Sequence, residues 1–135
     1  MTVQHRVLLV EDNAPDVVLA RKAFSALDRV EMRVAVTADE ASKMLEHELV
    51  DLILLDLNLP KISGFELLAK LKVEELTKSI PVVVITSSSS LDDIERAYRA
   101  GASGYLIKPM SLTTFRDMVA ILGAYWFQVS KLPAR

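Results

Sequence analysis

Apolar residues in this chain come in short runs, and each run stops on a polar residue. Leu52-Ile53-Leu54-Leu55 is unbroken, the pattern of a strand covered on both faces. It ends abruptly in Asp56, and Pro60 closes off any continuation. Arg6-Val7-Leu8-Leu9-Val10 is a similar run that ends in Glu11 and Asp12. Pro81-Val82-Val83-Val84-Ile85 ends in Thr86 and a run of serines, and Gly104-Tyr105-Leu106-Ile107 ends in Lys108-Pro109. Glu31–Val36 alternates polar and apolar, which predicts a strand nearer a sheet edge.

The intervening stretches read as helices. Asn13-Ala14-Pro15-Asp16 predicts a helix start, with proline in the first turn and an acid favourable to the helix dipole. Val17, Val18, Ala20, Ala23, Phe24 and Leu27 follow, partly at helical spacing. Thr37-Ala38-Asp39-Glu40 opens a second helix to about His47, with Ala41, Met44 and Leu45 inward. A third, near Ser63–Glu75, buries Phe65, Leu67, Leu68 and Leu71. Ser90-Leu91-Asp92-Asp93 is a capped start for a fourth, which stops near Gly101. The last begins around Leu112 or Thr113 and extends as far as Ser130. Strands alternating with helices through short loops predict an α/β fold, a parallel sheet with helices on both faces.

Composition narrows the function more than the fold. A chain of 135 residues that is 51% hydrophobic fits one domain with a single large interior. A net charge of −2 offers no bulk attraction to nucleic acid or to an anionic membrane. The absence of cysteine excludes disulfides and thiol-based metal sites. His5 and His47 lack metal-ligand spacing. No apolar run approaches the ~18 residues of a membrane span, and no apolar signal region opens the chain, so a soluble cytoplasmic protein is expected.

The polar residues that end the strands are the candidate chemistry. In a parallel sheet Glu11, Asp12, Asp56, Thr86 and Lys108 all fall on the carboxyl-end rim, where open α/β sheets bind ligands. Three carboxylates gathered there repel one another, and a divalent cation would relieve them; oxygen ligands suit Mg²⁺. Lys108 can pair with a carboxylate and hold a phosphoryl oxygen, and Thr86 offers a hydroxyl to the same group. The set suits transfer of a phosphoryl group onto Asp56 as nucleophile. Taken singly each signal is weak: Glu11-Asp12 alone reads as a solvated pair, Asp56 as a turn cap, Tyr105 as a sheet aromatic.

With these residues in place, the chain resembles a two-component response-regulator receiver domain over about residues 6–122. The matched motifs are Glu11-Asp12, Asp56 with Asn58 and Pro60, Gly64, Thr86, and Lys108-Pro109. The resemblance implies a flavodoxin-like (βα)5 fold with strand order 2-1-3-4-5 and Asp56 as phosphoacceptor from a sensor histidine kinase. It implies Mg²⁺ on Asp12, Asp56 and the Asn58 carbonyl, with Glu11 contributing through water. Thr86 and Tyr105 match the pair that switches together, Ser87 the small residue that admits phosphate, and Lys108-Pro109 the family's cis peptide. Ser63 departs from the aspartate that often precedes the glycine, which bears on loop geometry alone. Such a domain is a switch, not a turnover enzyme, and with no output domain in view it is expected to act through protein contacts or phosphate relay.

Two softer features remain. Residues 123–135 extend past the usual end of a receiver. Together with Asn13-Ala14-Pro15-Asp16 and Leu57-Asn58-Leu59-Pro60-Lys61, they are similar to single-domain regulators paired with bacterial phytochrome kinases. Met118–Val129 carries no charge, and Ile121, Tyr125, Trp126, Phe127 and Val129 cannot all face one core. That predicts a partner surface, most simply a homodimer. The rival readings are a Mg²⁺-dependent phosphatase or phosphotransferase, disfavoured because Asn58 stands where a second aspartate is usual, and a constitutive interaction module with an idle pocket.

Overall fold

The computed structural model describes residues 4–134. Five parallel strands form one sheet in the order β2-β1-β3-β4-β5. They are β1 (His5–Val10), β2 (Val30–Ala35), β3 (Leu52–Leu55), β4 (Val82–Thr86) and β5 (Gly104–Ile107). The helices are α1 (Ala14–Phe24), α2 (Ala38–His47), α3 (Gly64–Val73), α4 (Leu91–Arg99) and α5 (Leu112–Gly123). Each begins at a side chain that accepts an N–H of the first turn: Asn13, Thr37, Ser63, Ser90 and Ser111. Ser63, the departure from the family pattern, is thus the cap of α3.

Period-two alternation divides the central strands between two cores. Leu8, Val10, Ile53, Leu55, Val82 and Val84 face α2, α3 and α4, where Ala41, Leu45, Leu67, Leu68, Leu71 and Ala97 meet them. Val7, Leu9, Leu52, Leu54, Val83 and Ile85 face α1 and α5, against Ala20, Ala23, Phe24, Phe115 and Val119. β3 is buried along its whole length, as its unbroken apolar run requires. β2 and β5 are the edges and are less buried than the central strands, β2 with a polar-apolar alternation and β5 with an apolar sequence.

Two expectations need correction here. The last α-helix stops at Gly123, and the chain continues as a π-helical segment, Ala124–Val129. That wider i→i+5 winding changes which residues face inward. Trp126 and Phe127, two of the five residues expected on a partner surface, are half-buried and packed in part on the core of this chain, and Phe127 stacks on His5 with ring centroids 4.5 Å apart. Ile121, Tyr125 and Val129 do stand exposed. The Lys108–Pro109 peptide, expected cis, is trans; no cis peptide occurs among the described residues. Trans remains the lower-energy form even before proline, by about 0.5–1 kcal/mol.

Gly64, at the start of α3, lies hard against the strand end that carries Asp56. A Cβ built on it would fall 2.3 Å from the Asp56 carbonyl oxygen and 2.6 Å from Leu57 Cα, both backbone. Its N–H donates to the Leu57 carbonyl at 2.9 Å. Gly64→Ala is therefore expected to lower stability by about 1–3 kcal/mol, the range for forced overpacking. Urea unfolding measures it, and an unchanged midpoint would mean that the β3–α3 loop gives way freely.

Candidate functional site

The sheet delivers its polar strand ends to one rim. Backbone bonds extend each ladder one step past the strand: Glu11 N–H donates to Ala35 O at 2.9 Å, Asp56 N–H to Val10 O at 3.0 Å, and Lys108 N–H to Thr86 O at 2.8 Å. Glu11 and Asp56 are thus held by main chain at the ends of β1 and β3, the topological switch point of this strand order, and Lys108 reaches them from the end of β5.

The centre of the pocket is an ammonium among acids. Lys108 Nζ lies 2.5 Å from Glu11 Oε1, 2.8 Å from Asp16 Oδ2 and 3.1 Å from Asp56 Oδ2. Glu11 and Asp56 are almost fully buried, with 2% and 4% of their side chains exposed. Asp56 Oδ1 accepts the Asn58 N–H at 3.3 Å, and Glu11 Oε2 accepts the Asn13 N–H at 3.2 Å. Burial pushes Glu11 from an ordinary 4.5 up to about 7, the Asp56 carboxylate adds to the rise, and Lys108 only partly offsets it. Burial alone would depress Lys108, but the hydrogen bonds it donates to Asp16 and Glu11 and the charge of Asp56 hold it above its ordinary value.

Glu11, Asp12 and Asp56 each offer a carboxylate oxygen, and the three oxygens lie within 4.8 Å of one another. Two of these acids sit in the buried floor and Asp12 is exposed at the mouth. A hard divalent cation with several waters fits such an all-oxygen set. Thr86 is fully buried, and its hydroxyl has no hydrogen-bond partner among the described residues. That is a cost tolerated where a ligand supplies the partner. Ser87 is exposed beside it, and Asn58 is exposed on the β3–α3 loop. Tyr105, partly buried, donates its hydroxyl to the Ser88 carbonyl at 2.9 Å.

The rim thus brings together Glu11, Asp12, Asp56, Thr86 and Lys108, with Asn58 and Ser87 at its edge and Tyr105 one loop away. Two contributors were not foreseen. Asp16 was read only as a dipole-favouring acid, and Ser88 only as part of a serine run. Asp16 had a usable signal: the first turn of a helix that follows a strand lies over the same rim as that strand's carboxyl end.

The chain belongs to the response regulator receiver domain family, whose family model matches residues 7–120. It is 38% identical over 134 residues to the probable methanogenesis regulatory protein FilR2 of Methanothrix harundinacea, covering 94% of this chain and 86% of that one. It is 34% identical over 137 residues to response regulator Rcp1 of Synechocystis sp., covering 95% and 92%. The crystal structure of the Mn²⁺-bound form of Rcp1 superposes with a TM-score of 0.88 at 33% identity, over 97% of this chain and 100% of that one. The phosphorylated cyanobacterial phytochrome response regulator RcpA gives a TM-score of 0.91 at 33% identity, over 97% and 99%.

The raised Glu11 sets the pH response of the metal-free protein. The folded state holds a proton on Glu11 that the unfolded chain has already released, so stability falls as pH rises from 4.5 to about 7. At up to about 1.4 kcal/mol per pH unit, the loss should reach a few kcal/mol across that window. Urea unfolding in chelator between about pH 4.5 and pH 7.5 should show this decline in the wild type and a flatter profile in Glu11→Gln. Equal slopes would place the burden of burial elsewhere.

Proposed function

We propose that the domain accepts a phosphoryl group on Asp56 from the phosphohistidine of a sensor kinase, as a cytoplasmic switch in a phosphorelay. The observation that carries this reading is the buried Asp56 carboxylate facing Lys108 at 3.1 Å on a rim that also holds a buried Thr86 hydroxyl with no partner among the described residues. A carboxylate oxygen of Asp56 attacks phosphorus in line, the P–N bond to the kinase imidazole breaks, and the nitrogen keeps the electron pair. Lys108 donates to one phosphoryl oxygen and Thr86 to another, while Ser87, small and exposed, leaves room for the group to enter. Glu11, Asp12, Asp56 and the loop at Asn58 would hold Mg²⁺, which when bound supplies charge neutralisation for the phosphoryl oxygens. Hydrolysis of the aspartyl phosphate in the same pocket is slow, so the domain is an acceptor and not a turnover enzyme.

Phosphorylation adds charge and acceptor oxygens beside Thr86 and Lys108. Drawing the Thr86 hydroxyl towards them biases the Tyr105 side chain and the surface formed by β4, α4 and β5. Similarity to Rcp1 and to the phytochrome response regulator RcpA supports a phytochrome-type kinase as partner. Incubation with Mg²⁺ and a small acyl phosphate, followed by mass measurement of the intact chain, should give a single phosphoryl adduct that is absent in Asp56→Asn. No adduct on the wild type would indicate an idle module, and rapid multiple turnover an enzyme.

The partner surface we propose is a homodimer face on the last helix and its extension. Ile121, Tyr125 and Val129 are 73%, 53% and 70% exposed, beside an apolar groove of about 500 Å³ lined by Leu106, Met118, Leu122 and Trp126. A patch of that kind normally marks association. Sedimentation of the double variant Ile121→Glu/Tyr125→Glu should report a monomer where the wild type reports a dimer. The same mass for both, whichever it is, would remove the claim.

A further inference from the structure

Asp16 lies outside the acids that end the strands, yet its carboxylate is one of three that share Lys108. An ammonium has three N–H donors and no acceptor, so three carboxylates saturate it. Two of them, Glu11 and Asp56, also belong to the set whose oxygens gather within 4.8 Å; Asp16 does not. A divalent cation arriving there competes with Lys108 for Glu11 and Asp56, and the two positive charges repel. A phosphoryl group on Asp56 likewise needs the lysine to let go of the carboxylate and reach outward.

Asp16 is placed to receive the ammonium when that happens. It sits in the first turn of α1, where Asn13 Oδ1 accepts its backbone N–H at 3.0 Å and the Val17 N–H donates to Asn13 O at 3.0 Å. Pro15 stiffens the same turn. The carboxylate therefore projects from a fixed backbone, whereas the lysine has a flexible stem. With 32% of its side chain exposed, Asp16 marks the wet edge of the pocket, and Glu11 and Asp56 its dry floor.

We propose that Asp16 is a positioning residue for Lys108: it holds the ammonium at the side of the pocket, which frees Glu11 and Asp56 for a divalent cation and then a phosphoryl oxygen. The inference rests on the phosphoacceptor reading of the pocket and adds a residue to it. The competing role is a staple between α1 and β5, which would affect stability but leave cation affinity alone.

Calorimetric titration of Mg²⁺ into the unphosphorylated full chain separates the two. Asp16→Asn, which keeps the shape and removes the charge, should raise the Mg²⁺ Kd about five- to tenfold, the scale of one charge-assisted hydrogen bond at a partly exposed site. Asp16→Glu should recover most of that loss. In a Lys108→Met background the same Asp16→Asn change should move Kd by less than about twofold, since the residue through which it acts is gone. An Asp16→Asn Kd within about twofold of wild type would overturn the assignment, as would an equal effect with and without the lysine. Wild-type protein that takes up no Mg²⁺ would overturn the phosphoacceptor reading as well, so the two failures are distinguishable. The urea midpoint of each variant reports any stapling role separately.

Discussion

One ammonium surrounded by carboxylates, at the end of a buried sheet, is the constraint to which the rest of this molecule answers. Lys108 meets Glu11, Asp16 and Asp56 within 3.1 Å, and two of those acids have almost no contact with water. Removing charges from water is expensive, and their mutual attraction repays it only with good geometry. Here repayment is incomplete. Glu11 is pushed up to about 7 with the lysine at its side. A hydrophobic plug would be cheaper for folding, so a set that leaves acids under-neutralised is best understood as a pocket kept ready for another cation.

That readiness depends on strand register. The four strands that carry the site are neighbours, and main-chain bonds from Glu11, Asp56 and Lys108 prolong their ladders into the rim. A slip of one residue in the β1–β3 pairing would turn the Asp56 carboxylate towards a core and a leucine towards the pocket. The two cores prevent this, because Ile53 and Leu55 must face one helix layer while Leu52 and Leu54 face the other. Packing on both faces of β3 therefore specifies where the Asp56 carboxylate points, and Gly64 keeps α3 close enough to hold the strand end from outside.

What the chain disclosed in advance follows the same logic. Apolar runs with polar ends mark strands and site together, so the sheet, the order of elements and the residues Glu11, Asp12, Asp56, Thr86 and Lys108 were legible. Asp16 was not, because its role depends on where the first turn of α1 hangs over the rim, and linear spacing shows only a helix-start acid. The uncharged tail showed that some apolar side chains had to remain outside. It did not show which, because the change from α to π winding after Gly123 redirects Trp126 and Phe127 onto their own core. The trans form of Lys108–Pro109 was equally out of reach, since proline narrows the gap between the isomers without choosing one.

The pocket floor and its exit to the surface differ in how firmly they are held. Glu11, Asp56 and Lys108 have ladder bonds and buried neighbours, whereas the loop after β4 is tied by a chain of side-chain bonds centred on Ser88. Its carbonyl accepts from Tyr105, its hydroxyl donates to Asp93 Oδ2 at 2.6 Å, and it accepts the Ser90 N–H at 3.2 Å. Arg96 of α4 lies over the Phe65 ring of α3 at 4.0 Å, a contact of modest strength between two helices that otherwise touch little. Segments held by a few partly exposed polar bonds open at lower free energy than packed strands do. A change of charge at Asp56 therefore meets a rigid floor and a loosely tied loop, with the buried Thr86 hydroxyl between them lacking a partner among the described residues. A charge-assisted bond to that hydroxyl, worth about 1.5–3 kcal/mol, is comparable in scale to the Ser88 ties and small beside the packing that holds the sheet.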